Sequence, residues 1–220
     1  MSTSDLATPR PVRLDLADVA LNGDLSLGAD AVGLVVFAHG SGSSRHSSRN
    51  RAVAEVFQHA GLATLLLDLL TESEERTDES TAEFRFNIPL LAERVVGAID
   101  WAQAHPATET IPLGVFGAST GAAAALIAAA ARPAIVRAVV SRGGRADLAG
   151  ASLDSVAVPT LLIVGGLDEV VLQLNREAFE RLKGPRELQI VEGATHLFPE
   201  PGALDRVAQV ARDWFVRYLV

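Results

Sequence analysis

The stretch Gly117-Ala118-Ser119-Thr120-Gly121 separates an apolar run, Ile111–Phe116, from an alanine-rich run, Ala122–Ala131. A short and nearly continuous apolar run is typical of a strand buried on both faces of a parallel sheet, whereas the second run is long enough for a helix. Small residues around Ser119 permit the tight, strained turn that joins such a strand to such a helix. The turn would hold the serine hydroxyl above the sheet, near the positive end of the helix. The stretch therefore predicts a strand–turn–helix unit with an exposed, functional serine.

The same alternation of short apolar runs and longer periodic runs extends along most of the chain. The short runs predict strands at Gly33–Ala38, Leu62–Asp68, Ile111–Gly117, Ile135–Ser141, Pro159–Gly165 and Glu187–Glu192. The longer runs predict helices at Arg49–Ala60, Pro89–Ala104, Thr120–Ala131, Val171–Leu182 and Leu204–Leu219. Strands that alternate with helices predict an α/β fold, in which a doubly wound and mostly parallel sheet carries helices on both faces.

Two segments depart from this alternation. Val12–Leu27 alternates apolar and polar residues around Asn22-Gly23, which predicts an N-terminal hairpin that turns at this pair. Thr71–Glu83 contains six acids and one arginine, which favours a solvated loop. Because it follows the end of a predicted strand, a mobile flap beside a ligand site is the alternative.

We expect one domain over residues 12–220, preceded by a polar tail over residues 1–11.

Composition excludes several classes of function. The 220 residues contain no cysteine and carry a net charge of −8, which removes disulfides, thiolate metal sites and cysteine nucleophiles and argues against nucleic acid as a partner. Residues 1–11 have no apolar run typical of a secretory signal, and the longest apolar run, Ala122–Ala131, is too short for a membrane span of about 20 residues. We expect a cytoplasmic protein that acts on a small molecule without a metal, and that is a monomer or a homodimer.

A serine needs a base within hydrogen-bond reach to become a nucleophile. Of the five histidines, His196 alone lies C-terminal to Ser119, just past the last predicted strand. The base in turn needs a carboxylate that fixes its tautomer, and Asp168 follows another strand at the same edge of the sheet. Glu169 and Asp68 remain alternatives for this carboxylate. The predicted catalytic residues are therefore Ser119, Asp168 and His196.

Acyl transfer also needs donors for the oxyanion that forms on the substrate. The loop that follows the strand Gly33–Ala38 is rich in glycine and serine, and we expect donors at the backbone amides of Ser41 and Thr120. His39 and Gly40 would border the substrate, and His39 either orients the loop by hydrogen bonding or transfers a proton.

Two arginines follow the strand Ile135–Ser141, in Arg142-Gly143-Gly144-Arg145. Arg142 could hold a substrate carboxylate through two parallel hydrogen bonds. Alternatively, both arginines offset the acidic segment or stay in solvent, and the same choice applies to Arg85.

Taken together, these motifs resemble the α/β-hydrolase superfamily, and within it the dienelactone-hydrolase-like branch. The resemblance spans nearly the whole chain and is carried by Ala38-His39-Gly40-Ser41-Gly42, Gly117-Ala118-Ser119-Thr120-Gly121, Gly165-Gly166-Leu167-Asp168 and Ala194-Thr195-His196. It implies an α/β-hydrolase domain, a triad of Ser119, Asp168 and His196, and no cofactor. True dienelactone hydrolases have a cysteine nucleophile where this chain has Ser119, so the resemblance does not establish dienelactone as the substrate.

The predicted function is hydrolysis of a carboxylic ester, lactone or thioester through an acyl-enzyme. Only 17 residues lie between Ser141 and Pro159, which is too few for an apolar lid domain, so we expect an open pocket for small or medium soluble esters. An acyltransferase or perhydrolase with the same triad is one alternative. A non-catalytic binding protein on the same fold is the other.

Overall fold

Eight strands form a single sheet in the computed structural model, which describes residues 7–220. The strands are β1 (Arg10–Asp15), β2 (Ala20–Ser26), β3 (Gly33–Ala38), β4 (Leu62–Leu67), β5 (Leu113–Ala118), β6 (Val136–Arg142), β7 (Thr160–Gly165) and β8 (Arg186–Val191). The helices are α1 (Ser48–His59), α2 (Glu72–Thr81), α3 (Ile88–Ala104), α4 (Thr120–Ala131), α5 (Glu169–Arg181) and α6 (Ala203–Leu219), and a short 3-10 segment spans Ala146–Ser155.

The strand order across the sheet is β1-β2-β4-β3-β5-β6-β7-β8. The pairs β1–β2 and β2–β4 are antiparallel, and the other neighbouring strands are parallel. This is the predicted α/β-hydrolase fold in one domain. Between β6 and β7 the described chain carries the 3-10 segment and no separate lid.

Strands β3, β4 and β5 are buried along their whole length, because helices cover both faces of the sheet. Helices α3 and α4 lie on one face, and α1 and α6 lie on the other. β3 and β5 are neighbours although β4 separates them in the chain. The loops that follow these two strands therefore meet at the carboxyl edge of the sheet, where open α/β sheets bind their ligands.

An aromatic cluster anchors the layer of α1 and α6. Phe37 and Phe116 from the sheet pack against Phe57 of α1, and Phe57 also packs against Phe215 of α6, with ring centroids 5.4 to 5.9 Å apart. Burying each ring contributes about 2–3 kcal/mol through the hydrophobic effect. This packing fixes the positions of α1 and α6, and therefore also the ends of the loops that lead into these two helices. Within residues 7–220 no helix combines the length and the apolar character that a membrane crossing requires.

The N-terminal hairpin is present, but its turn does not lie at Asn22-Gly23. Leu16 donates its N–H to the carbonyl of Val19 at 2.8 Å, which closes a turn between β1 and β2. Asn22 and Gly23 lie inside β2, opposite Arg13 and Val12. Gly23 does not adopt the positive φ that a turn of this kind needs. The predicted turn position was wrong because pairing along the strand overrode a local turn signal.

The polar tail expected over residues 1–11 overlaps the first strand. Its residues 1–6 lie outside the described part of the chain. β1 begins at Arg10, because Arg10 and Pro11 pair with Leu25 and Asp24 of β2.

The acidic segment Thr71–Glu83, predicted to be a solvated loop, contains helix α2. The Thr71 hydroxyl accepts the N–H of Glu74 at 3.2 Å, and the Glu74 carboxylate accepts the N–H of Thr71 at 2.7 Å, which forms a capping box. Acids in the first turn also interact favourably with the positive end of the helix. The loop prediction was wrong because it weighed net charge and overlooked this start signal. Asp78 is the one buried residue of this helix.

Candidate active site

Ser119 occupies the turn between β5 and α4 in a strained backbone conformation. Its φ is 52° and its ψ is −121°, an unfavourable combination for a residue with a side chain. The N–H of Ser119 donates to the carbonyl of Arg142 at 3.2 Å. A Cβ at Gly121 would lie 2.3 Å from the carbonyl oxygen of Ala38, so glycine alone permits α4 to start this close to β3. The turn thus holds Ser119 at the junction of the β3 and β5 loops.

Asp168 and His196 form a close pair at the same edge of the sheet. Asp168 lies at the start of α5, and its Oδ2 is 2.6 Å from Nδ1 of His196 in the loop after β8. A hydrogen bond of this length to a carboxylate assigns a proton to Nδ1 and leaves Nε2 as an acceptor. No hydrogen bond joins the Ser119 hydroxyl to His196 within residues 7–220, and such contacts often tighten only when substrate is bound.

The two alternative carboxylates lie elsewhere. Glu169, in the first turn of α5, is exposed. Asp68 follows β4 and accepts the backbone N–H of Arg45 at 2.8 Å, while the guanidinium of Arg45 binds its other oxygen. Asp68 therefore anchors the far end of the β3–α1 loop, and sequence reasoning did not foresee this role for Arg45.

The β3–α1 loop lies directly against Ser119. A Cβ at Gly40 would be 2.9 Å from the Cβ of Ser119. The hydroxyls of Ser41 and Thr120 are hydrogen-bonded at 3.0 Å, which joins the loop to the start of α4. Within the described residues, the backbone N–H groups of Ser41 and Thr120 have no hydrogen-bond acceptor. Two amides without acceptors beside a serine hydroxyl are the groups that oxyanion stabilisation requires.

His39 is buried and uses both ring nitrogens to hold backbone groups. Its Nδ1 donates to the carbonyl of Gly40 at 2.9 Å, and its Nε2 accepts the N–H of Leu69 at 3.0 Å. Burial lowers the pKa of His39, against the smaller opposing effects of the Gly40 hydrogen bond and the charge of Asp68. A neutral ring with both nitrogens engaged orients the loop and is not free to transfer a proton.

A cavity of about 340 Å³ extends from the β3–α1 loop toward α2. His39 and Gly40 line one side, and Glu75, Asp78 and Glu79 of α2 line the other. The acidic helix therefore covers one side of this cavity, whereas Ser119 and His196 are not among the residues that line it.

The arginines near the site differ in their partners. Arg145 binds Asp147 through two hydrogen bonds of 2.9 and 2.8 Å. Arg85 binds the buried carboxylate of Asp78 at 2.6 Å, which agrees with the expectation that it offsets the acidic segment. Arg142 is buried, with 7 % of its surface exposed. It neither extends into solvent nor reaches the acidic helix.

Gly143 is a site residue that sequence reasoning missed. It has a φ of 51°, and a Cβ here would lie 2.9 Å from the carbonyl oxygen of His196 and 3.4 Å from the ring of Phe198. Phe198 is buried and itself has a φ of 56°, a rare strain for a bulky residue. Gly143 and Phe198 together fix the backbone of the His196 loop. The Gly143-Gly144 pair after β6 was the one available signal.

Metal ligands are not grouped around this site. Within residues 7–220, no cluster of three or more histidine, aspartate or glutamate side chains is placed to hold a metal ion.

Comparisons with known proteins agree with this fold. The model of the dienelactone hydrolase family matches residues 25–219. A dienelactone hydrolase from Anabaena variabilis is 55 % identical, and its crystal structure superposes with a TM-score of 0.95 over 97 % of this chain and 100 % of that chain. Est1E from Butyrivibrio proteoclasticus, 16 % identical, shares the fold with a TM-score of 0.79 over 94 % of this chain and 98 % of its own.

Two Mycobacterium tuberculosis proteins, each named "Putative phosphoribosyl transferase", are 55 % identical over 208 residues. The match covers 94 % of this chain and 46 % of each relative, so the chain spans about half of their length. On the family match and the similarity to the Anabaena protein, this chain belongs to the dienelactone hydrolase family.

Proposed function

We propose that this protein is a serine esterase that cleaves small or medium carboxylic esters through an acyl-enzyme. Membership of a hydrolase family supports the hydrolytic class; the serine nucleophile and the ester substrate are our proposal. The observation that carries it is the backbone of Ser119, a residue with a side chain held at a φ of 52° where a buried strand meets a helix. Such strain persists where the surrounding structure enforces it, and it is concentrated at active sites.

In the first half of the reaction, the Ser119 oxygen attacks the ester carbonyl, and Nε2 of His196 takes the hydroxyl proton. Asp168 stabilises the resulting imidazolium across its 2.6 Å contact with Nδ1. The carbonyl oxygen becomes negative and accepts hydrogen bonds from the amides of Ser41 and Thr120. His196 then returns the proton to the departing alcohol, which leaves an acyl group on Ser119.

In the second half, water attacks the acyl group while His196 again accepts and returns a proton. The products are a carboxylic acid and free enzyme, so the sequence of steps needs no cofactor. The short β6–β7 connection supports a substrate that approaches from solvent. The cavity of about 340 Å³ begins at Gly40, which lies against Ser119, and has room for an acyl or alcohol group of modest size.

The name of the mycobacterial relatives does not change this proposal. It describes proteins of which this chain matches less than half, and the pair of Asp168 and His196 supports the proposed acyl transfer. We therefore do not propose phosphoribosyl transfer for this chain.

The test is hydrolysis of p-nitrophenyl acetate, butyrate and octanoate, together with labelling by a fluorophosphonate probe. Wild type should turn over the short esters fastest and become labelled at Ser119. Ser119→Ala should lose both activities, whereas the control Ser155→Ala, an exposed serine of the 3-10 segment, should retain them.

Other outcomes would overturn the proposal in distinct ways. A folded wild type with neither turnover nor labelling would indicate a binding protein. Labelling without hydrolysis would indicate an acyltransferase that needs another acceptor, and a competing alcohol or peroxide would then restore turnover.

A further inference from the structure

Asn175 is a polar side chain of α5 that the proposed reaction does not use directly. None of its surface is exposed. Its Nδ2 donates to the carbonyl of Gly144 at 2.7 Å and to the carbonyl of Val171 on the same helix at 2.8 Å, whereas its Oδ1 has no hydrogen-bond partner within residues 7–220. Burying an amide costs free energy that burying a leucine of similar size would not. The cost indicates that the bond to Gly144 has a role beyond packing.

The carbonyl of Gly144 depends on this amide. Gly144 is buried, and Asn175 is the one hydrogen-bond donor to its carbonyl in the described part of the chain. On its other side, a Cβ at Gly144 would lie 2.5 Å from the Cβ of Ala122 in α4. Without the amide, a buried carbonyl would be unpaired, and the chain would have to move to find another donor. Asn175 therefore fixes the path of the chain that follows β6.

The segment Arg142–Arg145 contacts two of the three proposed triad residues. Backbone groups at its two ends hold the N–H and the carbonyl of Ser119, at 3.2 and 3.0 Å. In between, Gly143 lies against the carbonyl of His196, where a Cβ would be only 2.9 Å away. The position of this segment consequently determines the positions of the Ser119 backbone and of the His196 loop.

Helix α5 carries the third residue of the proposed triad. Asp168 immediately precedes α5, and its carbonyl accepts the N–H of Leu172 at 2.8 Å. Asn175 lies about two turns further along the same helix. The bond from Asn175 to Gly144 joins residues that are 31 positions apart. It thus connects the helix that positions Asp168 with the segment that positions the other two residues.

We propose that Asn175 is a positioning residue for the triad, which acts by tying α5 to the segment Arg142–Arg145. It forms no hydrogen bond with Ser119, Asp168 or His196 within residues 7–220. It keeps Asp168 within hydrogen-bond distance of Nδ1 of His196, because the carboxylate moves with α5 and the His196 loop rests on the segment. The effect on this contact is independent of turnover, whereas an effect on kcat rests on the proposed esterase function.

The first measurement examines the pair of Asp168 and His196 directly. NMR shifts of ¹⁵N-labelled histidine report which ring nitrogen carries the proton, and the His196 signals are identified by their loss in His196→Gln. At a pH where the ring is neutral, wild type should carry the proton on Nδ1, as the contact with Asp168 requires. Asn175→Leu has a similar volume and no donor, and it should shift His196 to a mixture of tautomers.

Thr108→Val is the matched control. Thr108 is also buried, and its hydroxyl donates to the carbonyl of Ala102 at 2.7 Å. It lies in the loop before β5, at the opposite edge of the sheet from Ser119. Its replacement removes a buried side-chain hydrogen bond of the same kind and should leave the His196 signals unchanged.

The second measurement is hydrolysis of p-nitrophenyl butyrate. Asn175→Leu should lower kcat about tenfold and change KM by less than about twofold, since misplacing the base slows the reaction without weakening substrate binding. Thr108→Val should keep the kcat of wild type. Circular dichroism and thermal unfolding establish that each variant is folded. If the leucine variant does not fold, Asn175→Ala replaces it, because the smaller side chain leaves space for a water molecule beside the Gly144 carbonyl.

The outcomes separate this proposal from the proposed function. Unchanged His196 signals in a folded Asn175 variant would overturn the positioning role and indicate that the amide only stabilises the fold. Mixed tautomers in the variant of a protein whose wild type does not hydrolyse esters would refute the esterase proposal and support the positioning role. Mixed tautomers with an unchanged kcat would also support that role, and would show that His196 is not the base of the reaction.

Discussion

Replacing Gly143 with alanine tests whether the loop after β6 positions His196, the base of the proposed reaction. The new Cβ would lie 2.9 Å from the carbonyl oxygen of His196, whereas ordinary contacts begin near 3.4 Å. The His196 backbone must therefore retreat by about 0.5 Å, since the packed interior offers little slack. Because a displacement of about 1 Å can lower a rate about a hundredfold, we expect a fall in kcat of about tenfold.

The substitution also strains the backbone, and this effect must be separated from the displacement of His196. A φ of 51° at Gly143 costs about 1–2 kcal/mol for alanine. Gly150 provides the matched control, because its φ is 54° and a Cβ there would meet nothing within 4 Å. Gly150→Ala should show a similar loss of stability from strain and an unchanged kcat.

Both variants are compared with wild type by urea unfolding and by hydrolysis of p-nitrophenyl butyrate. We expect KM to change little in Gly143→Ala, since the loop holds the base and not the substrate. A kcat for Gly143→Ala within about twofold of that for Gly150→Ala would refute the reasoning. It would mean that the His196 loop moves away from Gly143 without disturbing the base.

Two further predictions concern buried titratable groups. Because burial lowers the pKa of His39 below its ordinary 6.5, the unfolded chain binds this proton more readily, so the stability that neutral His39 provides is present above pH 6.5 and is lost as the pH falls below it. Urea unfolding is measured at pH 7.5 and at pH 5.5, about one pH unit above and below the ordinary histidine pKa. The free energy of unfolding should fall less between these two pH values in His39→Gln than in wild type, and equal falls would contradict this. Burial raises the pKa of Asp78, but hydrogen bonds from the Arg85 backbone and guanidinium and from Phe84 outweigh burial and hold the pKa below its ordinary value. Asp78→Asn should weaken these contacts by about 1–3 kcal/mol and speed hydrogen exchange within α2, and unchanged exchange there would show that other contacts hold the helix.

Local sequence patterns predicted the parallel part of the sheet closely. The predicted strand Gly33–Ala38 and the predicted helix Thr120–Ala131 agree with the structure residue for residue. Strands buried on both faces have continuous apolar runs, and this buried helix consists largely of small residues. Both elements can therefore be predicted from the sequence pattern. The order of Ser119, Asp168 and His196 also placed all three at one edge, because the carboxyl ends of parallel strands meet there.

The two failures have opposite causes. Asn22-Gly23 carries a strong turn signal, but its neighbours pair along β2 with β1 and β4, and the gain from pairing exceeds a local preference. In Thr71–Glu83 the opposite error occurred, since the capping box at Thr71 and Glu74 was a local signal that net charge obscured.

The sequence alone indicated the parallel strands, the helices around them and the side chains that we propose for acyl transfer, because these signals depend on neighbours within a few residues. The tertiary structure decided the 2.6 Å contact between Asp168 and His196, the close approach of Gly143 to the histidine loop, and the hydrogen bond from Asn175 to Gly144. Each of these joins residues far apart in the chain. Distances of this kind follow from how the helices and loops pack over the edge of the sheet, and no short stretch of sequence predicts them.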